Sequence, residues 1–174
     1  MKKLKFSIII VLLTLNGFAQ KNCEYQIDKK RILENINLDS FLTEFQNEQF
    51  VVDNDKKSIP KHVKKELDCI ASEFSIANPK EEYQAGCNVE KDKPKRQLIF
   101  LAKSKDILIL TYATGGIGSS THFLFIKYDS EKIIDLWTGV GMGIIKHKSL
   151  KEISKYISSQ RDREWGLNTN IVSI

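Results

Sequence analysis

The sequence has 174 residues, with 27 Lys and Arg against 22 Asp and Glu, 41% hydrophobic residues and three cysteines. That is the length of one domain with apolar residues enough for one core, which excludes collagen-like and wholly disordered classes. The formal charge of +5 and the pI near 9.0 raise nucleic-acid and membrane-surface readings, and these stand or fall on where the charges lie.

The chain opens with Lys2, Lys3 and Lys5, then the apolar run Ile8 to Leu13, then Gly17-Phe18-Ala19. This is the charged, apolar and small-residue order of a secretory signal, and Thr14, Asn16 and Gly17 interrupt it too early for a spanning helix. The ending Phe18-Ala19-Gln20 resembles Bacteroidetes-type signal peptides, which implies a Gram-negative envelope. Residues 1–20 are therefore expected to be a signal peptide and 21–174 a single domain, periplasmic or extracellular, with no membrane span after cleavage. Cys23 follows Gln20-Lys21-Asn22, which is not the setting of a lipid-modified cysteine. Without Lys2, Lys3 and Lys5 the domain keeps 24 basic against 22 acidic residues. The remaining lysines, such as Lys61, Lys64, Lys65, Lys91, Lys93 and Lys95, alternate with acids as solvated faces do, so no nucleic-acid partner is expected.

The first half reads as helical. Tyr25 to Ile36 is a sparse candidate. Leu38, Phe41, Leu42 and Phe45 share one helical face, with Asn37 or Asp39 at the start to accept free N–H groups. Ile59, Val63, Leu67 and Ile70 repeat at helical spacing, with Pro60 in the first turn where its missing N–H is harmless. Export favours disulfides, and the expected bridge joins Cys69 to Cys87 across a polar, loop-like segment, with Cys23 a competitor for either partner. No Cys-x-x-Cys or paired-His spacing supports a metal site, and no cofactor is expected.

The second half changes period. Gln97–Ala102 with Ile107–Ala113, and Thr121–Tyr128 with Ile133–Thr138, form two consecutive hairpins by their turn spacing. Ser149-Leu-Lys-Glu152 is a capping-box pattern opening a last helix, and Leu167 to Ile174 is a candidate tail strand. The expected class is α+β, an antiparallel sheet of about four strands with helices packed on one face. Symmetric turns would oppose Phe100 to Ile109, Leu110 to Phe125 and Leu124 to Trp137. Leu108, Leu110, Tyr112, Phe123 and Phe125 would then face the helices, and a second, mixed face with His122 and Trp137 would need other cover.

Candidate chemistry gathers at one end of this sheet. Gly115, Gly116, Gly118, Ser119 and Ser120 form one glycine-rich loop and Gly139, Gly141 and Gly143 a second, with Lys95 and Arg96 entering nearby. Such loops present N–H groups to an anion or a peptide carbonyl. The spacing fits neither a phosphate loop nor a dinucleotide fingerprint, and no Gly-x-Ser-x-Gly elbow is present. The expected site is a patch of Gly115, Gly116, Gly118, Ser119, Ser120, His122, Trp137, Gly139 and Gly141 that holds a protein or peptide, with no catalytic residue assigned. The leading expectation is a small exported binding or inhibitor-type protein, an envelope immunity protein being one form. The alternative is a small envelope hydrolase or transferase with His122 as general base and glycine-loop N–H groups as oxyanion site. A concave pocket with His122 within about 3 Å of Ser119, Ser120 or a carboxylate would favour that alternative.

Overall fold

The computed structural model describes residues 23–161 and Ile174, apart from positions 72, 89 and 117. The expected signal segment, Trp165 and the body of the expected tail strand lie outside the described residues, and Ile174 itself is in no strand. In chain order the elements are α1 (Lys29–Leu33), α2 (Leu38–Asn47), β1 (Val51–Val52), a 3-10 turn (Lys56–Ser58), α3 (Lys61–Ile70), β2 (Ile76–Ala77), β3 (Arg96–Lys103), β4 (Ile107–Thr114), β5 (Ser120–Tyr128), β6 (Ile133–Met142) and α4 (Leu150–Gln160). The class is mixed helix and antiparallel sheet. Among the described residues six strands rather than about four form one sheet, in the order β1-β3-β4-β5-β6, with β2 pairing parallel to the start of β3.

The four long strands are the expected two hairpins, but their registers differ from those of symmetric turns. Phe100 opposes Thr111, Leu110 opposes Leu124, and Phe125 opposes Trp137. Each shift has a local cause. The β4–β5 connection has an odd number of residues, so Thr114 closes opposite Ser120. The β5–β6 hairpin pairs Tyr128 with Ile133, as a symmetric turn requires, and then a bulge between Lys127 and Tyr128 moves the ladder on by one. In β3–β4 the difference is two residues and is set at the turn, where Lys103 already opposes Leu108; a second bulge lies beyond it, between Leu98 and Phe100. Because side chains alternate, a one-residue shift sends a whole set to the other face. Phe123 and Phe125 therefore share a face with Thr111, Trp137 and Gly139, and His122 shares the other with Tyr112, Leu110 and Leu124.

Both faces are buried, which corrects the expectation of helices on one face only. On the first, Phe41 and Phe45 of α2 lie 6.0 and 4.8 Å from Phe125, and Tyr156 of α4 stacks 5.4 Å from Phe123. On the second, Phe74 meets Tyr112 edge-on at 5.5 Å and His62 of α3 lies 5.6 Å from Tyr128. Val63 and Leu67 of α3 are fully buried, as are Leu108, Leu110, Leu124 and Ile126 beneath that layer. Each such side chain contributes about 1.5–3 kcal/mol relative to exposure, so a sheet dressed on both sides is the favourable solution for strands this apolar.

The helix ends follow their capping chemistry. Ser149 Oγ accepts from Glu152 N–H at 3.3 Å, while the Glu152 carboxylate takes the N–H of Lys148 rather than that of Ser149. α1 is shorter than Tyr25 to Ile36: Asp28 caps its start by accepting from Arg31 N–H, and Asn35 ends it in the left-handed region at φ 54°. Asn37 holds the expected N-cap position of α2 without capping it. Its amide donates instead to Asp135 and to the Leu136 carbonyl of β6, at 2.8 and 3.1 Å.

The disulfide is Cys23–Cys69, and Cys87 is a free, exposed thiol. This overturns the Cys69–Cys87 expectation: the segment leading to Cys87 packs through Gln84 and Ala85 on Gly115 at the sheet end, whereas the stretch from Cys23 to Tyr25 is bonded to α3. Tyr25 N–H donates to Glu66 of α3 at 2.7 Å, and the Tyr25 phenol, pushed up to about 12 chiefly by burial and secondly by Asp135, lies beside β6. Arg31 then pairs with Asp135 at 3.1 Å. The N-terminal stretch thus straps α3 on one face to α1 on the other past the β6 edge. Both sulfurs are within 4.8 Å of a Glu66 oxygen, but bonded to each other they are not thiolate ligands. Among the described residues no helix is long and apolar enough to cross a membrane.

The bridge closes a sequence separation of 46 residues, for which chain entropy gives about 4 kcal/mol. Cys69→Ser is expected to lower the thermal midpoint by roughly 10 °C, and Cys87→Ser to leave it unchanged within error, in calorimetric melts of the oxidised protein.

Candidate binding cleft

The register of the long strands decides what meets at the glycine-rich end. Arg96 opposes Thr114, Thr114 opposes Ser120, and Ser120 opposes Met142, so one cross-strand row carries a cation, two hydroxyls and a thioether. The next row on the same face is Leu98, Tyr112, His122 and Val140. Above them opens a cleft of about 800 Å³, walled on one side by the segment from Gln84 to Lys95 and reached by Ile174.

At its floor Ser120 Oγ lies 2.8 Å from Thr114 Oγ1 and 3.0 Å from His122 Nε2, and Thr114 Oγ1 lies 3.3 Å from the same nitrogen. The His122 ring stacks on Tyr112 at 4.9 Å and 6° and is only 5% exposed. The Tyr112 phenol is pushed up to about 12 by its complete burial, so it stays neutral throughout the physiological range.

Arg96 is 7% exposed. Its guanidinium lies 4.5 Å from the centre of the Phe74 ring and 5.7 Å from that of Tyr112. Desolvated cation–π contacts of this kind are worth about 2 kcal/mol and hold the group in a fixed orientation. Nη2 donates to the main-chain oxygen of Ile174 at 2.8 Å. The rim adds Lys91 and Lys95, both exposed, and Lys93, which pairs with Glu90 at 2.8 Å and Glu82 at 3.3 Å. Four basic side chains against Glu73 and Glu90 give the cleft a positive bias.

The expected patch divides between this cleft and the opposite face. Gly115, Ser120 and His122 line the cleft. Gly116 and Gly118 shape the adjoining turn, with φ of 99° and 85° and open space where a Cβ would stand. The Ser119 carbonyl accepts from Gly143 N–H at 2.8 Å and ties this turn to the exit of β6. Gly139 and Gly141 lie in a strand, not a loop, because β6 continues to Met142. A Cβ on Gly141 would sit 2.7 Å from both Ile145 and the Tyr156 hydroxyl, so this glycine makes room for α4. Trp137 is fully buried on the first face, where its Nε1–H donates to Asn35 Oδ1 at 3.0 Å, so it shares no surface with His122. Arg96, Thr114, Tyr112 and Val140 are the residues the expected patch lacked. The sequence signal for Thr114 was its place one loop away from Ser120; Arg96 was expected near the glycine loops but, within a run that looked like a solvated face, was not counted in the patch.

No protein-family model, curated protein or solved structure matches the chain.

The cleft wall rests on one close backbone approach. A Cβ on Gly115 would stand 2.3 Å from the Gln84 carbonyl oxygen and 2.4 Å from Ala85 Cα, and Gly116 N–H donates to the Ala85 carbonyl at 3.1 Å. Gly115→Ala is expected to push this wall off the sheet at a cost of about 1–3 kcal/mol, read as a lower thermal midpoint together with faster amide exchange at residues 83–90.

Proposed function

We propose that the protein is an exported binding protein of inhibitor type, with an envelope immunity protein as one form, whose cleft at the glycine-rich sheet end receives a segment of a protein partner. The observation that carries this reading is the buried, oriented Arg96 guanidinium beside the Thr114, Ser120 and His122 polar row in a cleft with a lysine rim. Pre-oriented donors over an open floor suit carbonyl and carboxylate groups of a peptide, since a fixed fork loses little freedom on binding. The leader of residues 1–20 supports export. A Cys23–Cys69 disulfide agrees with an oxidising compartment. Reversing the exposed rim charges, Lys91→Glu with Lys95→Glu, is expected to abolish recovery of the partner in native co-purification from envelope extract. The thermal midpoint should not change. Equal recovery by wild type and the reversed variant would refute the cleft as the binding surface.

A second reading, a hydrolase or transferase, is favoured by one specific contact, the 3.0 Å approach of His122 Nε2 to Ser120 Oγ inside a concave site. This is the spacing a nucleophile and its base require. The remainder of that mechanism is less well provided. The oxyanion donors were to come from the glycine loops, and the N–H groups of Gly116 and Gly143 are committed to the carbonyls of Ala85 and Ser119. Ser120 Oγ is also shared with Thr114. Treatment with a fluorophosphonate probe decides the matter: a catalytic Ser120 gives labelling of the wild type that Ser120→Ala and His122→Ala both lose. An unlabelled wild type removes this reading.

A further inference from the structure

We infer that Ile174 of this chain is the resident occupant of the cleft, and that the partner segment is a peptide placing an aliphatic side chain and a main-chain oxygen where Ile174 now places its own. The inference rests on the binding reading above and adds the class of ligand and the way access to it is regulated.

Three observations converge on Ile174. Its side chain lines the cleft and packs, half-buried, against the core. Its main-chain oxygen accepts from Arg96 Nη2 at 2.8 Å. Arg96 is also held by the Phe74 and Tyr112 rings and donates from Nη1 to the Glu73 carbonyl at 3.5 Å, so groups of the sheet layer, and not Ile174 alone, orient the guanidinium. Residue 174 lies 78 positions from Arg96 in sequence, and among the described residues no strand pairing brings it there. At Ile174 itself the described hold is a charge-assisted hydrogen bond and an aliphatic contact; such a bond contributes only a few kcal/mol at most, which a peptide offering the same two groups can match. The floor beyond it continues the pattern a peptide needs: hydroxyls of Thr114 and Ser120 for further polar groups, then Val140 and the exposed Met142 for apolar ones. A peptide entering the cleft must displace Ile174, so its apparent affinity is reduced by the fraction of molecules in which the site is already filled.

The probe is the fluorescein-labelled, C-terminally amidated pentapeptide Asn-Ile-Val-Ser-Ile, whose last residue offers the same side chain and carbonyl, with a control peptide ending in Gly. Titration by fluorescence anisotropy into the full chain is expected to show weak binding to wild type and at least tenfold tighter binding to Ile174→Gly. The control peptide should bind neither. Ser120→Tyr in the Ile174→Gly background, which crowds the floor without touching Arg96, should return binding to the wild-type level. Arg96→Lys, which keeps the charge and loses the fork, should weaken it, and circular dichroism reports whether that variant is folded. Equal peptide affinity for folded wild type and Ile174→Gly overturns self-occupancy, as does equal binding of the two peptides to Ile174→Gly. The rim-charge reversal distinguishes the two levels of argument. If it abolishes partner recovery while Ile174→Gly changes nothing, the binding reading stands and this inference fails; if partner recovery survives it, the binding reading itself fails.

Discussion

The structure depends on the parity of the turn between β4 and β5. Five residues separate Thr114 from Ser120, and the two close opposite each other. With a side-chain period of two, that odd count assigns every residue of β5 to a face. It sends Phe123 and Phe125 to the α2 and α4 layer, where Phe41, Phe45 and Tyr156 meet them, and turns Ser120 and His122 to the side of Arg96 and Tyr112. An even turn would exchange these sets. It would bury His122 under α2 and bring two phenylalanines to the cleft, leaving the helices without their apolar partners.

Given that parity, the rest is closure. A sheet apolar on both faces needs cover on both, and the chain supplies α1, α2 and α4 to one side and α3 with Phe74 to the other. The two layers are joined at the β6 edge rather than through the sheet. Asn35 and Asn37 reach β6 from the α1–α2 corner, accepting from Trp137 and donating to Asp135 and Leu136. The strap from Cys23 to Arg31 then passes that edge and is bonded to α3 by the disulfide. An edge strand presents unpaired main-chain groups, and covering it in this way also limits pairing with other chains.

The cleft lies where closure stops. On the α3 face no helix lines the glycine-rich end, and the wall is made by a polar segment leaning on Gly115, whereas on the other face α4 reaches Gly141. What lines the cleft there is a row of donors and acceptors over an aromatic base, with a buried arginine packed against the Phe74 and Tyr112 rings. The formal charge that suggested polyanion binding has a different distribution from the one its total implies: three of the lysines lie within the first five residues, and Arg96 with Lys91, Lys93 and Lys95 gathers at the cleft.

Much of this was legible locally. The four long strands, α2, α3, the Ser149 cap and the glycine-rich end all follow from periodicity, turn residues and capping chemistry, because each depends on neighbours within a few positions. The registers did not follow, since neither the odd β4–β5 turn nor the bulge at Tyr128 carries a mark in composition; a one-residue error at the first misplaced the phenylalanines, and one at the second mispaired Trp137. The glycines at 139 and 141 looked like a loop because the close approach that Gly141 permits, of Ile145 and Tyr156, involves residues outside its own strand. Cysteine pairing was likewise open, because three thiols allow several bridges and only the path of the strap brings Cys23 to Cys69. Sequence alone thus determined the main elements and the glycine-rich end of the sheet, both being short-range properties of the chain. Tertiary structure alone decided which side chains face one another there, because facing depends on parity accumulated through turns and bulges and on contacts between residues far apart in sequence.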